Sequence, residues 1–258
     1  MLALISHILA ALVAVASSAG DLEAICELLS ALPAEGGTAL IVVQHLNSER
    51  ERLLLETLAG RTILPVTYAH DGAAAEQDHV YVITANTTLT MASGCLRVTP
   101  SPSGPHHPGD ILFRSLAKEL GHNAIGVVLS GEGSDGALGV QALKQAGGAT
   151  FAQYPGSARF PSMPISAIET GCVGFVLRPN EIAHELARLS DYAGPAAGVA
   201  RRTLVVDDNA ERVVGASWRR GLPLSPEASS SMSGIADFLQ HRGEDVGATI
   251  MLKQEPIA

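Results

Sequence analysis

Apolar and polar residues alternate along this chain in short blocks with two different periods. Three runs are apolar at nearly every position: Leu12 to Ala16, Thr38 to Val43 and Ala124 to Leu129. Short continuous runs of this kind suit parallel strands buried on both faces. Each run gives way to small or polar residues and then to a helical pattern. Asp21 to Leu32 carries apolar residues at Leu22, Ile25, Leu28 and Leu29. Glu49 to Leu58 is rich in leucine and charge, and Ala137 to Ala146 ends at Gly147-Gly148, a suitable helix terminus. Strand, loop and helix repeated in this way predict an α/β fold, a mostly parallel sheet with helices on its faces.

The stretch from Val66 to Pro100 has another rhythm. His79 to Thr84 and Thr87 to Met91 read as strands, Ser93-Gly94 as a turn, and Cys95 to Val98 as a return strand. That pattern predicts a β-hairpin insertion. A loop, SPSGPHHPG, follows, with Asp110 as the expected N-cap of a helix from Ile111 to Leu120. One more α/β unit comes next: a strand from Thr150 to Gln153, a helix from Pro164 to Thr170, and a strand from Gly174 to Leu177. Asn180 is then expected to cap a helix from Glu181 to Leu189. Near Gly194 the composition changes to a linker, GPAAGVA. Beyond it PEASSSMSG is poor in apolar residues and expected to be mobile.

Composition narrows the picture. The chain has 258 residues, 47% of them hydrophobic and 4% aromatic, so aliphatic side chains must fill its core. A formal net charge of -9 argues against nucleic acid as a partner, because phosphate binding needs a basic surface. The cysteines, Cys26, Cys95 and Cys172, fit neither a disulfide framework nor a zinc pattern. The apolar first twenty residues end in small residues like a signal peptide but lack its basic start. They read instead as a lead into the first buried strand, with no membrane insertion and a cytoplasmic location; secretion is the alternative.

Candidate chemistry gathers where strands end, the usual place for sites in open α/β sheets. Ser18 follows the first strand and could be a nucleophile beside the free N–H groups of a helix start, or simply a cap in a capping box. His45 follows the second strand in VVQHL, where an imidazole suits a general base or a structural hydrogen bond. Asp135 lies in SGEGSDG after the third strand; it could orient His45, or cap the next helix, as could Ser134. His106-His107 has no third ligand nearby in sequence and reads as a solvated loop, so no metal is expected.

The segments VAVASSAGDLEAI, IVVQHL, HVYVITAN, LFRSLA, IGVVLSGEGSDGALG and MPISAI, in that order and spacing, resemble the CheB-type protein-glutamate methylesterases of bacterial chemotaxis. The resemblance is nearest to versions fused to a CheR-type methyltransferase, and it runs from about Leu12 to Leu189. It implies a Rossmann-like three-layer α/β/α fold over residues 11–192 and no metal or organic cofactor. It also implies a Ser18–His45–Asp135 triad, with oxyanion donors at the backbone N–H groups of Ala19 and Glu132. The implied activity is hydrolysis of glutamate methyl esters on chemoreceptors, often with deamidation of glutamines. A methyl-accepting chemoreceptor is then the implied partner, together with a CheR-type methyltransferase.

Residues 193–258 read as linker and a truncated, poorly ordered tail. Arg202 to Asn209 resembles the first strand and acidic pair of a response-regulator receiver, here Asp207 and Asp208. The rest of a receiver cannot be placed, and no phosphorylation is expected.

The family's nucleophile loop reads G-x-G-A-S-T/A-G-G. Here Ala14, Ala16, Ser17 and Asp21 replace Gly, Gly, Ala and Gly. Alanine obstructs a backbone that needs positive φ. Glu132 and Asp21 also add carboxylates near the oxyanion position. These departures predict reduced or redirected activity.

Overall fold

The computed structural model describes residues 11–18, 22–45, 48–101 and 106–191. The linker near Gly194 and the segment Arg202 to Asn209 lie outside the described residues. Nine strands and six α-helices are described. The first strand, β1 (Ala11–Ser18), is followed by α1 (Glu23–Ser30), β2 (Thr38–His45) and α2 (Ser48–Ala59). Next come β3 (Val66–Tyr68), β4 (His79–Val82), β5 (Thr87–Ala92) and β6 (Cys95–Pro100). Then α3 (Pro108–Leu120), β7 (Ala124–Val128), α4 (Ala137–Gln145), β8 (Ala149–Gln153), α5 (Ser162–Glu169), β9 (Phe175–Leu177) and α6 (Pro179–Asp191) complete the domain.

Seven strands form one sheet in the order β3-β4-β2-β1-β7-β8-β9, and every pairing in it is parallel. The three fully apolar runs become β1, β2 and β7, the middle of the sheet. Side chains alternate along each strand, so each feeds two cores. Val13 and Val15 of β1 pack with Leu40 and Val42 of β2 and with α1, α2 and α6. Leu12, Ala14 and Ala16 pack with Ile41 and Val43, with α3, α4 and α5, and with the hairpin of β5 and β6. The architecture is therefore a three-layer α/β/α sandwich with a hairpin added to one layer.

Three local expectations change. The strand at His79 belongs to the main sheet, paired with β2, and the hairpin comprises β5 and β6 alone. Short, partly exposed β3 forms the edge beside β4, and its weak apolar pattern gave no strand signal. Asp110 does not cap α3, and Asn180 does not precede α6. Both helices begin earlier, at Pro108 and Pro179. Proline suits a first helical turn because its φ is preset and it has no N–H to satisfy.

Candidate active site

The chain leaves β1 toward β2 on one side, while β7 lies on the other. This reversal of strand order makes the carboxyl end of β1 a topological switch point, where α/β sheets open a crevice. Ser18 is the last residue of β1, and His45 is the last of β2. The parallel register sets them directly side by side, on strands spaced about 4.8 Å apart.

Ser18 does not cap a helix. It stays in the strand, and α1 begins at Glu23 with Leu22 at its N-cap position and no side-chain cap. Its backbone N–H donates to the Ser130 carbonyl at 3.3 Å, and its carbonyl accepts the Gln44 Nε2–H at 2.7 Å. Ser18 is half-buried, whereas Ser17 and Gln44 beside it are buried.

The segment after β7 is fixed closely against Ser18. The Ser130 N–H donates to Gln153 Oε1 at 2.8 Å, and Ser130 Oγ accepts the Phe160 N–H at 2.9 Å. The Gly131 N–H donates to the Phe160 carbonyl at 2.8 Å. Its own carbonyl accepts Ser162 Oγ–H and the Met163 N–H, both at 3.0 Å. A Cβ on residue 131 would lie 2.9 Å from Ser18 Cβ and would also meet Met163 Sδ. Glycine is what lets this loop approach the serine. Glu132 follows it and is exposed. Ala19 lies outside the described residues.

Asp135 is 4% exposed. Its Oδ2 accepts the Gly109 N–H and its Oδ1 the Asp110 N–H, each at 2.9 Å. It thus satisfies two otherwise unpaired donors at the start of α3, where the helix dipole also favours an anion. The expected cap on the following helix does not form. Gly136 occupies the N-cap position of α4 in the left-handed conformation, with no side-chain cap there.

Ala14 and Ala16 do not obstruct the backbone as expected. Both lie in extended β1, and neither has a positive φ. The methyl group of Ala16 is accommodated by Gly109 opposite, where a Cβ would come within 2.9 Å of it.

Sequence reasoning missed four neighbours. His107 is not part of an isolated loop: its Nδ1 lies 3.8 Å from Asp135 Oδ1. His107, Asp110 and Asp135 bring ligand-type atoms within 4.8 Å of one another, so two carboxylates do stand near His107. The carboxylates already accept backbone N–H groups, Asp135 from α3 and Asp110 from Gly139 at 2.7 Å. Burial raises the Asp110 carboxyl above the ordinary range; the Gly139 bond opposes this and the Asp135 charge adds to it. The remaining two are Gln44 and Gln153. Their signal was a glutamine closing an otherwise apolar strand run.

The family profile described as CheB methylesterase matches residues 13–186. The chain is 36% identical over 188 residues to protein-glutamate methylesterase/protein-glutamine glutaminase 4 of Anaeromyxobacter dehalogenans, covering 70% of this chain and 52% of that one. It is 36% identical over 186 residues to the protein-glutamate methylesterase/protein-glutamine glutaminase of Escherichia coli O157:H7, covering 69% and 53%. The chain spans about half the length of the curated relatives it matches. The crystal structure of the Thermotoga maritima CheB methylesterase catalytic domain superposes with a TM-score of 0.64 at 26% identity, covering 69% of this chain and 98% of that one. Family profile, curated relatives and fold agree, and the chain belongs to the CheB methylesterase family.

Proposed function

We propose that this chain is a serine esterase that hydrolyses glutamate methyl esters on a chemoreceptor-type protein. Ser18 is the nucleophile, His45 the general base and Asp135 the group that orients it. One observation carries this reading: the parallel register pairs Ser18 with His45 at the switch point of the sheet. Asp135, on the α3 side of the sheet, is held close to Ala16 of β1 through Gly109.

The reaction is acyl transfer. His45 takes the Ser18 proton as Oγ attacks the ester carbonyl, and the new oxyanion is met by the N–H groups of residues 19 and 132. The tetrahedral species collapses, and methanol leaves with the proton from His45. Water then adds to the glutamyl ester of Ser18 with His45 as base, and the serine is released. A glutamine side chain can follow the same steps with ammonia leaving, as the names of the relatives indicate. Exposure of Glu132 lets water screen its carboxylate, which limits the penalty on the oxyanion. The family profile supports a methyl ester as substrate; the resemblance read from the sequence implies that a methyl-accepting receptor carries it and a CheR-type methyltransferase supplies it. Among the described residues no helix is long and apolar enough to cross a membrane, and the free cysteines fit the cytoplasm.

Methanol release from methylated receptor tests the proposal. Ser18→Ala is expected to lower the rate by at least about 10³-fold while receptor binding persists. A surviving rate would overturn the assignment. Receptor binding by the unaltered chain without methanol release would make it a binding module.

A further inference from the structure

Gln44 stands immediately before His45 and is the register partner of Ser17. It is 3% exposed, on a strand whose neighbouring positions are Val42 and Val43. An apolar side chain would fill this position without a polar group to satisfy. Gln44 is only half satisfied: among the described residues its Oε1 has no hydrogen-bond partner, and neither does Ser17 Oγ. A buried amide oxygen left unpaired is destabilising. The bond the amide does make is from Nε2 to the Ser18 carbonyl, at 2.7 Å.

The Ser18 carbonyl belongs to the peptide group by which the chain leaves the nucleophile. Holding the carbonyl therefore restrains the Ser18 backbone itself, from which the nucleophilic hydroxyl projects. On the other side of β1, Ser130 is held similarly: Gln153 Oε1 accepts its N–H, and the Ser130 carbonyl accepts the Ser18 N–H. Two buried glutamines thus bracket the serine, one through each of its backbone bonds.

We infer that Gln44 is a positioning residue for acyl transfer, its side-chain amide holding the Ser18 carbonyl and thereby the backbone that carries the nucleophile. This rests on Ser18 being the nucleophile.

The test uses the full chain with Gln44→Met and Gln44→Glu, and Ser18→Ala as control. The readouts are kcat and KM for methanol release from methylated receptor, labelling of Ser18 by a fluorophosphonate followed by mass spectrometry, and Tm. Gln44→Met keeps length and removes the donor. It is expected to lower kcat and the labelling rate by about 10²-fold, the scale of a slightly misplaced reacting group, with KM and Tm unchanged. In Gln44→Glu a carboxylic acid can donate to the carbonyl but a carboxylate cannot. Its labelling rate relative to the unaltered chain is expected to rise as pH falls from 8 to 5. Unaltered labelling in Gln44→Met, or a loss that merely follows Tm, with no pH-dependent recovery in Gln44→Glu, overturns the inference. If the unaltered chain is not labelled at Ser18, the nucleophile assignment falls and this inference falls with it.

Discussion

Asp110 and Asp135 set two buried carboxylates at the start of one helix, and their backbone partners differ in number. Asp135 accepts two backbone N–H groups, one to each oxygen. Asp110 accepts one, from Gly139, and its carboxyl is raised by burial and by the neighbouring charge. A raised carboxyl binds its proton more tightly in the folded state than in the unfolded chain. Its contribution to stability is therefore present at low pH and is lost as pH rises through the raised value. Asp110→Asn keeps an oxygen for the Gly139 N–H and removes the titration. The melting temperature of Asp110→Asn relative to the unaltered chain should climb between pH 4 and pH 7. A pH-independent difference would show that Asp110 ionises there without penalty. The same economy of space explains why alanine is tolerated in β1: Ala16 replaces a family glycine, and Gly109 opposite supplies the room.

At the level of elements, α3 depends on Asp135, which lies 25 positions after the Asp110 N–H that it caps. Its first turn starts at Pro108, and His107 at the N-cap position makes no side-chain cap. Asp135 supplies that cap from the loop before α4. Asp135→Ala is thus expected to destabilise the fold by about 1–3 kcal/mol, the cost of unpaired buried donors, and to speed hydrogen exchange at Gly109 and Asp110. Ser18→Ala removes a half-buried hydroxyl and should leave both unchanged. Equal exchange in the two variants would contradict the capping role. This tertiary cap also marks the limit of legibility. The strands β1, β2 and β7 were visible because burial on both faces leaves an unbroken apolar run. The starts of α3 and α6 were misplaced because Asp110 and Asn180 look like local caps, whereas a proline one or two residues earlier already starts the helix. Local pattern reports local partners, and the Asp135 carboxylate finds its partner across the sheet ends.

At the level of the whole molecule, strand-end positions could be read from sequence, but their adjacency could not. Ser18 and His45 are register neighbours only because β1 and β2 pair in parallel without a slip, and a one-residue shift would exchange their faces. That register is set by burial on both sides of the sheet. One core gathers Val13, Val15, Leu40 and Val42 against α1, α2 and α6, and the other gathers Leu12, Ala14, Ala16 and Ile41 against α3, α4 and α5. Among the described residues, both are built from positions between Leu12 and Leu186, with Leu189 packed against the first. The solved Thermotoga maritima catalytic domain matches over 98% of its own length, so a relative of this extent folds by itself. A chain ending at residue 192 should then unfold cooperatively, with a Tm within about 3 °C of the full chain, the shift that about 1 kcal/mol produces at this size. Its labelling rate at Ser18 should equal that of the full chain. Calorimetry and fluorophosphonate labelling of the two chains side by side decide the matter. A broad, non-cooperative transition would mean that residues 193–258 complete one of the cores. A full Tm with altered labelling would instead assign the tail a direct effect on the crevice.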